Sequence, residues 1–435
     1  MICLSLFGTT DEISETVASS EADLFEIRLD LSQPLDLLRI RSVTNKKLIF
    51  TSHEKPELLN QAMPYADYID IGELRNVAAG VSPRRIVSIH ADDQDPVALW
   101  NRFSGEHLTK IVLNTDEYAT IARLIELNRS HPGKALCFAM GEIGAFSRII
   151  SVLDGAPWIY AAFPNKPTAP GQFTVEELTN LYRINRFAKA PSIFGIVGDP
   201  VSHSRSPKFH NQKFAEHNLP WIYLRFPCKD LDSLFEVAPR WGTAGFSITH
   251  PWKERAAELV SNSLELDRSC NTVCFSKGRW IGKNTDGDGV TETIKKFQVA
   301  IANSRVVILG AGGAARTIAK VIRPHLRELI FLNRTRQKAN QLATEFQGAS
   351  GVLNDLKLYT YDILFQATPI GLRENESPID PNLLKSGTTV IDTIYNPPET
   401  MLLRKAKEIG CRTINGETWF LAQAEAQFEW WKNSL

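Results

Sequence analysis

The chain has 435 residues, a length that is too great for one hydrophobic core and indicates roughly two to four domains. Lysine plus arginine number 49, as do aspartate plus glutamate, so there is no net charge to favour nucleic acid or an acidic membrane. The residues are 43% hydrophobic and 23% charged, and no apolar run approaches the ~18 residues that span a bilayer. We therefore expect a cytoplasmic globular protein without a nucleic-acid or membrane partner.

The six cysteines are scattered along the chain, without a CxxC pair and without histidines at zinc-binding spacing. We expect reduced thiols and no structural metal. The first seven residues lack a basic segment and turn acidic at once, which is typical of a strand and not of a signal peptide.

Short β-rich runs recur through the first 190 residues, with helical stretches between them such as 117–128. Eight strand–helix units predict an α/β fold that begins with a (β/α)8 TIM barrel, and 174–188 is the predicted last helix of this barrel. The predicted strands cover residues 2–7, 23–29, 47–51, 68–71, 85–90, 110–113, 135–140 and 158–163.

Alternation along these strands predicts polar side chains inside the barrel. In 24–29 every second residue is apolar, so Glu26 and Arg28 share the other face. Because the apolar face packs against the outer helices, the charged face points into the lumen. A barrel interior that served stability alone would hold valine, isoleucine and leucine. The same alternation places three more polar side chains inside: Ser5, His90 and Lys110.

These inward residues have a structural interpretation as well as a functional one. A lone inward histidine is more often a hydrogen-bonded core residue, and Glu26 with Arg28 would form a neutralising pair. Lys110 is harder to explain in this way, because a buried ammonium loses solvation and a buried amine is readily deprotonated to a nucleophile. A lysine nucleophile beside a histidine proton carrier is typical of Schiff-base chemistry, so we predict catalytic roles for Lys110 and His90.

The order of these motifs resembles that of the type I 3-dehydroquinate dehydratases. The resemblance covers almost the whole of 1–190, and its most specific part is the run Ala-Pro-Gly-Gln. The motifs are Glu26-x-Arg28-x-Asp30, Ser88-x-His90, Lys110, Ser147-Arg148 and Thr168-Ala169-Pro170-Gly171-Gln172.

This resemblance implies that Lys110 forms an imine with the substrate ketone and that His90 moves protons while water is eliminated. It also implies that Arg148 holds the substrate carboxylate, a task suited to its planar guanidinium. The remaining hydroxyl and carboxylate contacts would come from Ser5, Glu26, Arg28, Thr168 and Gln172.

The barrel departs from the family pattern at several positions, and two of these departures concern candidate substrate contacts. Where the family has an arginine after the third strand, this chain has Thr51-Ser52-His53, and we keep His53 as a candidate substrate-binding residue. The fourth strand has Gly72 where the family places an acid, and a glycine bulge could bring Glu73 into that place.

A very short linker, 189–192, leads into the second half of the chain, which indicates two bodies held close together. Polar residues then stand on loops and at strand ends. Taken singly, such serines are usually helix caps and such charges are usually solvated. In this order they resemble the substrate domain of shikimate dehydrogenase: His203-Ser204-Arg205-Ser206-Pro207, Thr249-His250-Pro251-Trp252-Lys253, Asn271-Thr272-Val273 and Asn284-Thr285-Asp286.

The second resemblance implies that Lys253 and Asp286 form a catalytic pair. Reduction of a ring ketone needs a hydride at carbon and a proton at oxygen, and an ammonium held by a carboxylate can supply the proton. The resemblance assigns substrate binding to Ser204, Ser206, Thr249, Asn271 and Gln423.

A buried strand, 306–309, runs into a glycine turn of the form G-x-G-x-x-A and then into a helix, which is typical of a dinucleotide site. The spacing alone also fits ordinary tight turns. About 20 residues on, a second strand ends at Asn333-Arg334, where an NAD site should place an acid. Cations there favour the 2′-phosphate of NADP. The candidate cofactor residues are Gly310, Ala311, Gly312, Gly313, Ala314, Asn333, Arg334, Thr335, Lys338 and Thr368.

Together the two resemblances imply a bifunctional shikimate-pathway enzyme that dehydrates 3-dehydroquinate and then reduces the product to shikimate with NADPH. We predict a barrel at 1–190, an α/β substrate-binding domain at 191–288 to which 415–435 returns, and a Rossmann NADP-binding domain at 289–414. Two alternatives remain open: a quinate or shikimate oxidoreductase that works in the catabolic direction, and a barrel that is a non-catalytic binding module. The oligomeric state is also open, with a homodimer as one option.

Overall fold

The computed structural model describes residues 1–53, 55, 57–73, 84–105, 107–164, 166–261, 268–373 and 375–435. The chain divides into two compact units. The first unit comprises residues 1–196 together with 210–244, and the second comprises 197–209 together with 245–435.

The first sheet is parallel, and its strands follow one another in the order of a (β/α)8 barrel. The ladder begins at the seventh strand, descends to the first, and continues through the eighth and ninth. Side chains from all eight main strands pack into one cluster, so the sheet curls around a common lumen. The strands are β1 (Ile2–Leu6), β2 (Leu24–Arg28), β3 (Lys47–Thr51), β4 (Tyr68–Asp70), β5 (Arg84–Asp92), β6 (Leu108–Asn114), β7 (Ala135–Met140), β8 (Ile159–Ala162) and β9 (Phe173–Thr174).

Helices follow the barrel strands, as the alternating pattern predicted. They are α1 (Thr10–Ser19), α2 (Leu37–Ser42), α3 (Glu57–Ala62), α4 (Pro96–Phe103), α5 (Tyr118–Ser130) and α6 (Gly141–Leu153).

The prediction of one continuous helix over 174–188 is wrong. The helix start is present, because Thr174 and Glu177 form a reciprocal capping pair. The backbone then widens into a π-turn over Glu177–Leu181, in which the N–H of Tyr182 donates to the carbonyl of Glu177 at 2.9 Å. Arg183 follows with φ +52°, a left-handed conformation that ends the helix, and only a short 3-10 turn comes after it.

The observed strand bounds place Lys110 further inside its strand than predicted. β6 begins at Leu108, so Lys110 is its third residue and lies between Leu108 and Val112, which both join the cluster in the lumen. The inward direction predicted from alternation therefore holds along β6.

The second sheet has five strands in the order β11-β10-β12-β13-β14, and its last three strands are antiparallel neighbours. The strands are β10 (Ser192–Gly198), β11 (Trp221–Pro227), β12 (Thr243–Ile248), β13 (Thr272–Ser276) and β14 (Arg279–Lys283). The accompanying helices are α7 (Ser206–Glu216), α8 (Leu231–Val237) and α9 (Lys253–Leu259).

The third sheet is entirely parallel, in the order β17-β16-β15-β18-β19-β20, which is the strand order of a dinucleotide-binding Rossmann fold. Apolar side chains cover both of its faces. The strands are β15 (Arg305–Leu309), β16 (Glu328–Leu332), β17 (Ala349–Gly351), β18 (Ile363–Gln366), β19 (Thr389–Asp392) and β20 (Arg412–Ile414). The helices are α10 (Asp286–Lys296), α11 (Gly313–Ile322), α12 (Arg336–Glu345), α13 (Met401–Ile409) and α14 (Glu417–Ser434).

A buried asparagine joins α5 to the edge of β7. The Asn128 amide nitrogen donates to the carbonyls of Leu124 and Cys137, and its oxygen accepts from the N–H of Cys137 at 2.8 Å. The substitution Asn128→Ala leaves the buried Cys137 N–H without its acceptor. We therefore expect a loss of about 2–3 kcal/mol in the free energy of unfolding.

The measurement is urea unfolding followed by circular dichroism, with Ser130→Ala at the exposed end of the same helix as the control. Equal stability of the two variants would show that the asparagine does not hold α5 in place.

Candidate active sites

A cavity of about 640 Å³ opens in the lumen of the barrel, where TIM barrels place their ligands. Its lining residues, which come from five strands, three loops and helix α6, combine apolar surface with many polar side chains. The charged and polar members are Glu26, Arg28, Ser52, His53, Glu73, Ser88, His90, Lys110, Arg148, Tyr160, Thr168 and Gln172.

Lys110 lies at the centre of this cavity wall and is only 6% exposed. Its Nζ is 3.4 Å from Asp70 Oδ2 and 3.9 Å from Glu26 Oε1. The ring of Tyr160 lies 4.5 Å away, in cation–π range. Two carboxylates and one aromatic face therefore hold this amine in position.

The two carboxylates are themselves held by hydroxyl groups. Glu26 accepts from Ser5 Oγ at 2.7 Å and from Thr51 Oγ1 at 3.0 Å. Asp70 accepts from Ser88 Oγ and, at 3.1 Å, from the N–H of Gly72. Ser5 therefore contributes to the site indirectly, by holding the carboxylate of Glu26 in position.

Asp70 is an important residue that the sequence reasoning missed. Burial by itself would raise the pKa of its carboxyl, but the Lys110 charge and the hydrogen bonds from Ser88 and Gly72 hold it below its ordinary value. The strand β4 has only three residues, too few for alternation to be read, although pairing of Asp70 with Thr51 and Ile86 would have placed it inward.

The glycine that departs from the family pattern has a specific backbone role. Gly72 has φ +56°, a left-handed conformation, and its N–H points at Asp70. The next residue, Glu73, is exposed and lines the cavity.

His90 and His53 face each other at the mouth of the cavity, with ring centroids 5.4 Å apart in an edge-to-face arrangement. Desolvation by the cavity walls and the charge of Lys110 lower the pKa of His90 to about 3. Desolvation also lowers the pKa of His53 below its ordinary value, against the attraction of Asp70. Both imidazoles are therefore neutral near pH 7, and each ring has one unprotonated nitrogen.

Two arginines supply positive charge to the cavity. Arg28 makes a two-pronged ion pair with Asp30 at 2.7 and 3.0 Å, so much of its charge is already compensated. Arg148 is buried over the ring of Phe138, donates to the carbonyl of Pro170 at 3.1 Å, and has no hydrogen-bond partner at Nε among the described residues. Burial lowers the pKa of Arg148 to about 10. A buried cation with a free donor is suited to bind a carboxylate.

The loop over the cavity is held by one amide group. Gln172 Oε1 accepts from the N–H of Thr168 at 2.9 Å, from Thr168 Oγ1 at 3.1 Å and from the N–H of Ala169 at 3.1 Å. Both predicted loop residues, Thr168 and Gln172, line the cavity.

A second polar site lies in the other compact unit, around the ion pair of Lys253 and Asp286. Lys253 is the first residue of α9, and Asp286 is the first residue of α10. Asn271 Nδ2 donates to Asp286 Oδ1 at 2.8 Å and lies 3.5 Å from Gln423 Oε1. Its own oxygen accepts from the N–H of Thr285 at 2.8 Å, so Asn271 holds both the Asp286 carboxylate and the backbone of the residue before it.

Helix α14 brings its polar residues to this site. Gln423 donates to the carbonyl of Phe420 at 3.0 Å, and Gln427 accepts from Ser247 Oγ at 2.7 Å. Gln427 also donates to the carbonyl of Asn271 at 3.2 Å. The sequence reasoning missed Gln427, which ties the helix to the strand end that carries Asn271.

The predicted serine loop is also ordered by its own hydrogen bonds. Ser204 Oγ accepts from the N–H of Ser206 at 3.2 Å, and Ser206 is buried at the start of α7. Thr249 follows β12, and its N–H donates to the carbonyl of Val197 at 2.9 Å.

The glycine turn after β15 fits a group that approaches the backbone closely. Gly310 has φ +114°, and a Cβ atom there would lie 2.7 Å from the carbonyl oxygen of Ala367. A Cβ atom at Gly312 would meet nothing within 4 Å, so the space in front of this turn is open. Gly312 is the N-cap of α11, whose first N–H groups and dipole favour a phosphate. Ala311 and Ala314 complete the turn with side chains no larger than a methyl group.

The predicted phosphate-binding cations lie beside this turn. The N–H of Gly310 donates to the carbonyl of Leu332 at 2.8 Å, and the segment that follows Leu332 carries exposed Arg334, Thr335 and Lys338. Asn333 donates to the carbonyl of Thr335 at 3.0 Å and shapes this segment.

Gln366, the last residue of β18, organises the turn that follows this strand. Its oxygen accepts from the N–H of Thr368 at 2.8 Å, and its nitrogen donates to the carbonyls of Thr368 and Ile370. Thr368, a predicted cofactor residue, therefore lies in a turn that is fixed by hydrogen bonds.

Among the described residues, no group of three or more histidine, cysteine or acidic side chains is placed to hold a metal ion. No helix in the same part of the chain is long and apolar enough to cross a membrane.

The sequence profiles of three families match this chain. Type I 3-dehydroquinase matches residues 2–187, the shikimate dehydrogenase substrate-binding domain matches 196–273, and shikimate/quinate 5-dehydrogenase matches 292–372. A chloroplastic bifunctional 3-dehydroquinate dehydratase/shikimate dehydrogenase of Arabidopsis thaliana is 30% identical over 99% of this chain and 81% of its own length. The shikimate biosynthesis protein AroDE of Chlamydia pneumoniae is 28% identical over 99% of this chain and 95% of its own length.

Solved structures resemble the second half. A shikimate dehydrogenase in complex with NADP+ aligns with 56% of this chain and 90% of its own, at 31% identity and a TM-score of 0.51. The Thermus thermophilus shikimate 5-dehydrogenase with NADP(H) and shikimate aligns with 56% of this chain and 94% of its own, at 30% identity and a TM-score of 0.50.

The lowered pKa of His90 gives a prediction that needs no substrate. In protein labelled at histidine, we expect the His90 resonance to keep the shifts of a neutral ring from about pH 8 down to about pH 5, below the ordinary histidine pKa of about 6.5. The measurement is an NMR titration in which the variant His90→Gln assigns the signal. A His90 midpoint near the ordinary value would contradict the electrostatics of the cavity.

Proposed function

The chain belongs to the bifunctional 3-dehydroquinate dehydratase/shikimate dehydrogenase family, and we propose that its barrel and its second half perform these two reactions through the residues assigned below. The observation that carries the proposal is the presence of two lysine–carboxylate sites in one chain: Lys110 with Asp70 and Glu26, and Lys253 with Asp286. The product of the first reaction is the substrate of the second.

In the barrel, Lys110 attacks the ketone of 3-dehydroquinate and releases water to form an imine. The imine acidifies the neighbouring C–H bond, and neutral His90 removes that proton. His90 then gives the proton to the departing hydroxyl, which leaves as water. Hydrolysis of the imine returns the amine of Lys110 and releases 3-dehydroshikimate.

The other barrel residues hold the substrate or the catalytic groups. Arg148, with its free Nε donor, binds the carboxylate, and Arg28 lies next to the cavity with its charge balanced by Asp30. We propose that His53 replaces the family arginine as a hydrogen-bond donor at the mouth of the cavity. Four further residues bind or position hydroxyl groups: Ser5, Glu26, Thr168 and Gln172.

In the second half, Lys253 donates a proton to the ketone oxygen as that oxygen becomes negative. Asp286 holds the ammonium in place and is itself oriented by Asn271. We propose that the ring hydroxyls and carboxylate are bound by Ser204, Ser206, Thr249, Asn271 and Gln423.

NADPH, when bound, supplies the hydride that reaches the ring carbon. The open glycine turn fits its pyrophosphate, because Gly310 and Gly312 leave room at the N-terminus of α11. Arg334 and Lys338 stand where its 2′-phosphate would need cations. The full set proposed to contact the cofactor is Gly310, Ala311, Gly312, Gly313, Ala314, Asn333, Arg334, Thr335, Lys338 and Thr368.

The remaining sequence-based expectations stay proposals. They are a barrel at 1–190, a substrate-binding domain at 191–288 with 415–435, an NADP-binding domain at 289–414, a cytoplasmic location and a homodimeric state. Sedimentation of the purified chain measures the last of these directly.

A coupled assay tests the function. The protein is supplied with 3-dehydroquinate and NADPH, and the loss of NADPH absorbance is followed. Oxidation of NADPH is expected with 3-dehydroquinate as the only carbon substrate, because both steps must occur. Oxidation with 3-dehydroshikimate but not with 3-dehydroquinate would instead support a non-catalytic barrel.

Single substitutions should separate the two reactions. Lys110→Arg retains a cation beside Asp70 but removes the amine nucleophile, so we expect no dehydration and unchanged reduction of 3-dehydroshikimate. Lys253→Ala should lower the reduction rate by about 10²–10⁴-fold and leave dehydration intact.

Borohydride treatment with 3-dehydroquinate supplies the matching chemical measurement. Mass spectrometry should find a stable adduct on Lys110 in the unsubstituted protein and none in Lys110→Arg. An adduct in both proteins would overturn the assignment of the nucleophile.

The cofactor preference depends on the cations after β16. Arg334→Ala should raise the KM for NADPH about tenfold or more and change the KM for NADH little, because NADH has no 2′-phosphate. Arg327→Ala, an exposed arginine at the opposite end of the same strand, is the control. Equal effects on both cofactors would argue against Arg334 as the residue that reads the phosphate.

A further inference from the structure

Two barrel helices, α5 and α6, are buried on more than the side that packs against the barrel sheet. In α5 the buried residues include eight of the 13 positions, whereas in α1 they include three of ten. Because one face of a barrel helix suffices to cover the sheet, a second covering layer must lie on α5 and α6. We call the outer surface of these two helices, together with Asp116 two residues before α5, the α5–α6 face.

The segment 210–244 provides this covering layer within the first compact unit. At the centre, Phe146 of α6 packs against Phe226 at a centroid distance of 4.5 Å and against Trp241 at 5.4 Å. All three aromatic side chains are buried. Such an aromatic centre is typical of a specific interface and not of a loose contact.

Polar contacts surround this aromatic centre. Tyr118 Oη donates to the carbonyl of Pro227 at 3.2 Å, and Arg129 donates to the carbonyl of Arg240 at 3.1 Å. Arg225 donates to Tyr182 Oη at 2.9 Å beside them.

At the edge of this interface, charged side chains of the barrel face opposite charges on segment 210–244. Asp116 and Glu126 belong to the barrel, and they pair with Lys229 and Arg240 of the covering segment. The Lys229–Asp116 distance is 2.8 Å, and Arg240 makes two hydrogen bonds to Glu126 at 3.0 and 2.9 Å. Acidic groups on one side and basic groups on the other set the register of the two surfaces.

We propose that the α5–α6 face is a permanent docking surface for segment 210–244, so that the barrel stays bound to the rest of the chain without the covalent linker. The partner that fits this surface is the dehydrogenase half of the same protein. Docking of segment 210–244 on this face requires neither of the two reactions proposed above.

Cleavage of the folded full-length protein tests this proposal. Residues 188–190 are exposed, so a protease recognition sequence can be inserted after Lys189. After cleavage, the two fragments are expected to co-elute in size-exclusion chromatography at about 1 µM. Two separate fragments at this concentration would overturn the proposal.

Charge reversal identifies the surface that holds the fragments together. The double variant Lys229→Glu/Arg240→Glu places like charges opposite Asp116 and Glu126, and its cleaved fragments should dissociate about tenfold or more readily. Adding Asp116→Lys/Glu126→Arg restores opposite charges and should recover most of the affinity. Because these four side chains are 36–70% exposed, the uncut variants are expected to fold and to keep both activities.

The matched control is Arg39→Glu, which breaks an exposed pair with Asp11 elsewhere on the barrel. Fragments that stay equally associated in the double variant and the control would show that the α5–α6 face does not hold them. If the quadruple variant does not recover affinity, the proposed charge pairing is wrong.

Discussion

An ammonium group inside a barrel must be compensated by negative charge, and the arrangement of the first half follows from that requirement. Lys110 is 6% exposed and lies within 4 Å of the carboxylates of Asp70 and Glu26. Removing the Lys110 ammonium would leave the two buried carboxylates without the cation between them, which is far more costly than the net value of the ion pairs. The hydroxyls of Ser5, Thr51 and Ser88 then satisfy the carboxylates. The polar lumen is thus one connected network, in which each residue fixes the position of the next.

Much of this network could be predicted from alternation, because the strand period is two and one face must meet the outer helices. That rule placed Glu26, Lys110 and His90 correctly in the cavity. It failed for Asp70, because β4 offers only three residues and no alternation can be read from so few. For the helix predicted at 174–188, the local capping signal correctly marked where the helix begins. The signal did not reveal the π-turn or the left-handed Arg183 that end the helix early, because these depend on tertiary packing.

The second site depends on contacts that are remote in sequence. Asn271 and Gln423 are separated by 152 positions, and Gln427 reaches Ser247 across 180. Spacing along the chain cannot reveal such pairs, so the sequence could suggest Lys253 and Asp286 only through family resemblance. The glycine turn could be predicted from local sequence, because Gly310 meets a local backbone constraint. Its φ is positive, and the nearby Ala367 carbonyl leaves no room for a Cβ atom.

The single amide oxygen of Gln172 has a consequence for binding. Three donors from Thr168 and Ala169 converge on it, so the protein's own hydrogen bonds hold the loop over the barrel cavity. Part of the conformational entropy of this loop is therefore lost when these hydrogen bonds form during folding. A preformed loop makes association less dependent on rearrangement and leaves more of the contact energy for affinity. This loop is therefore a preorganised part of the barrel binding site.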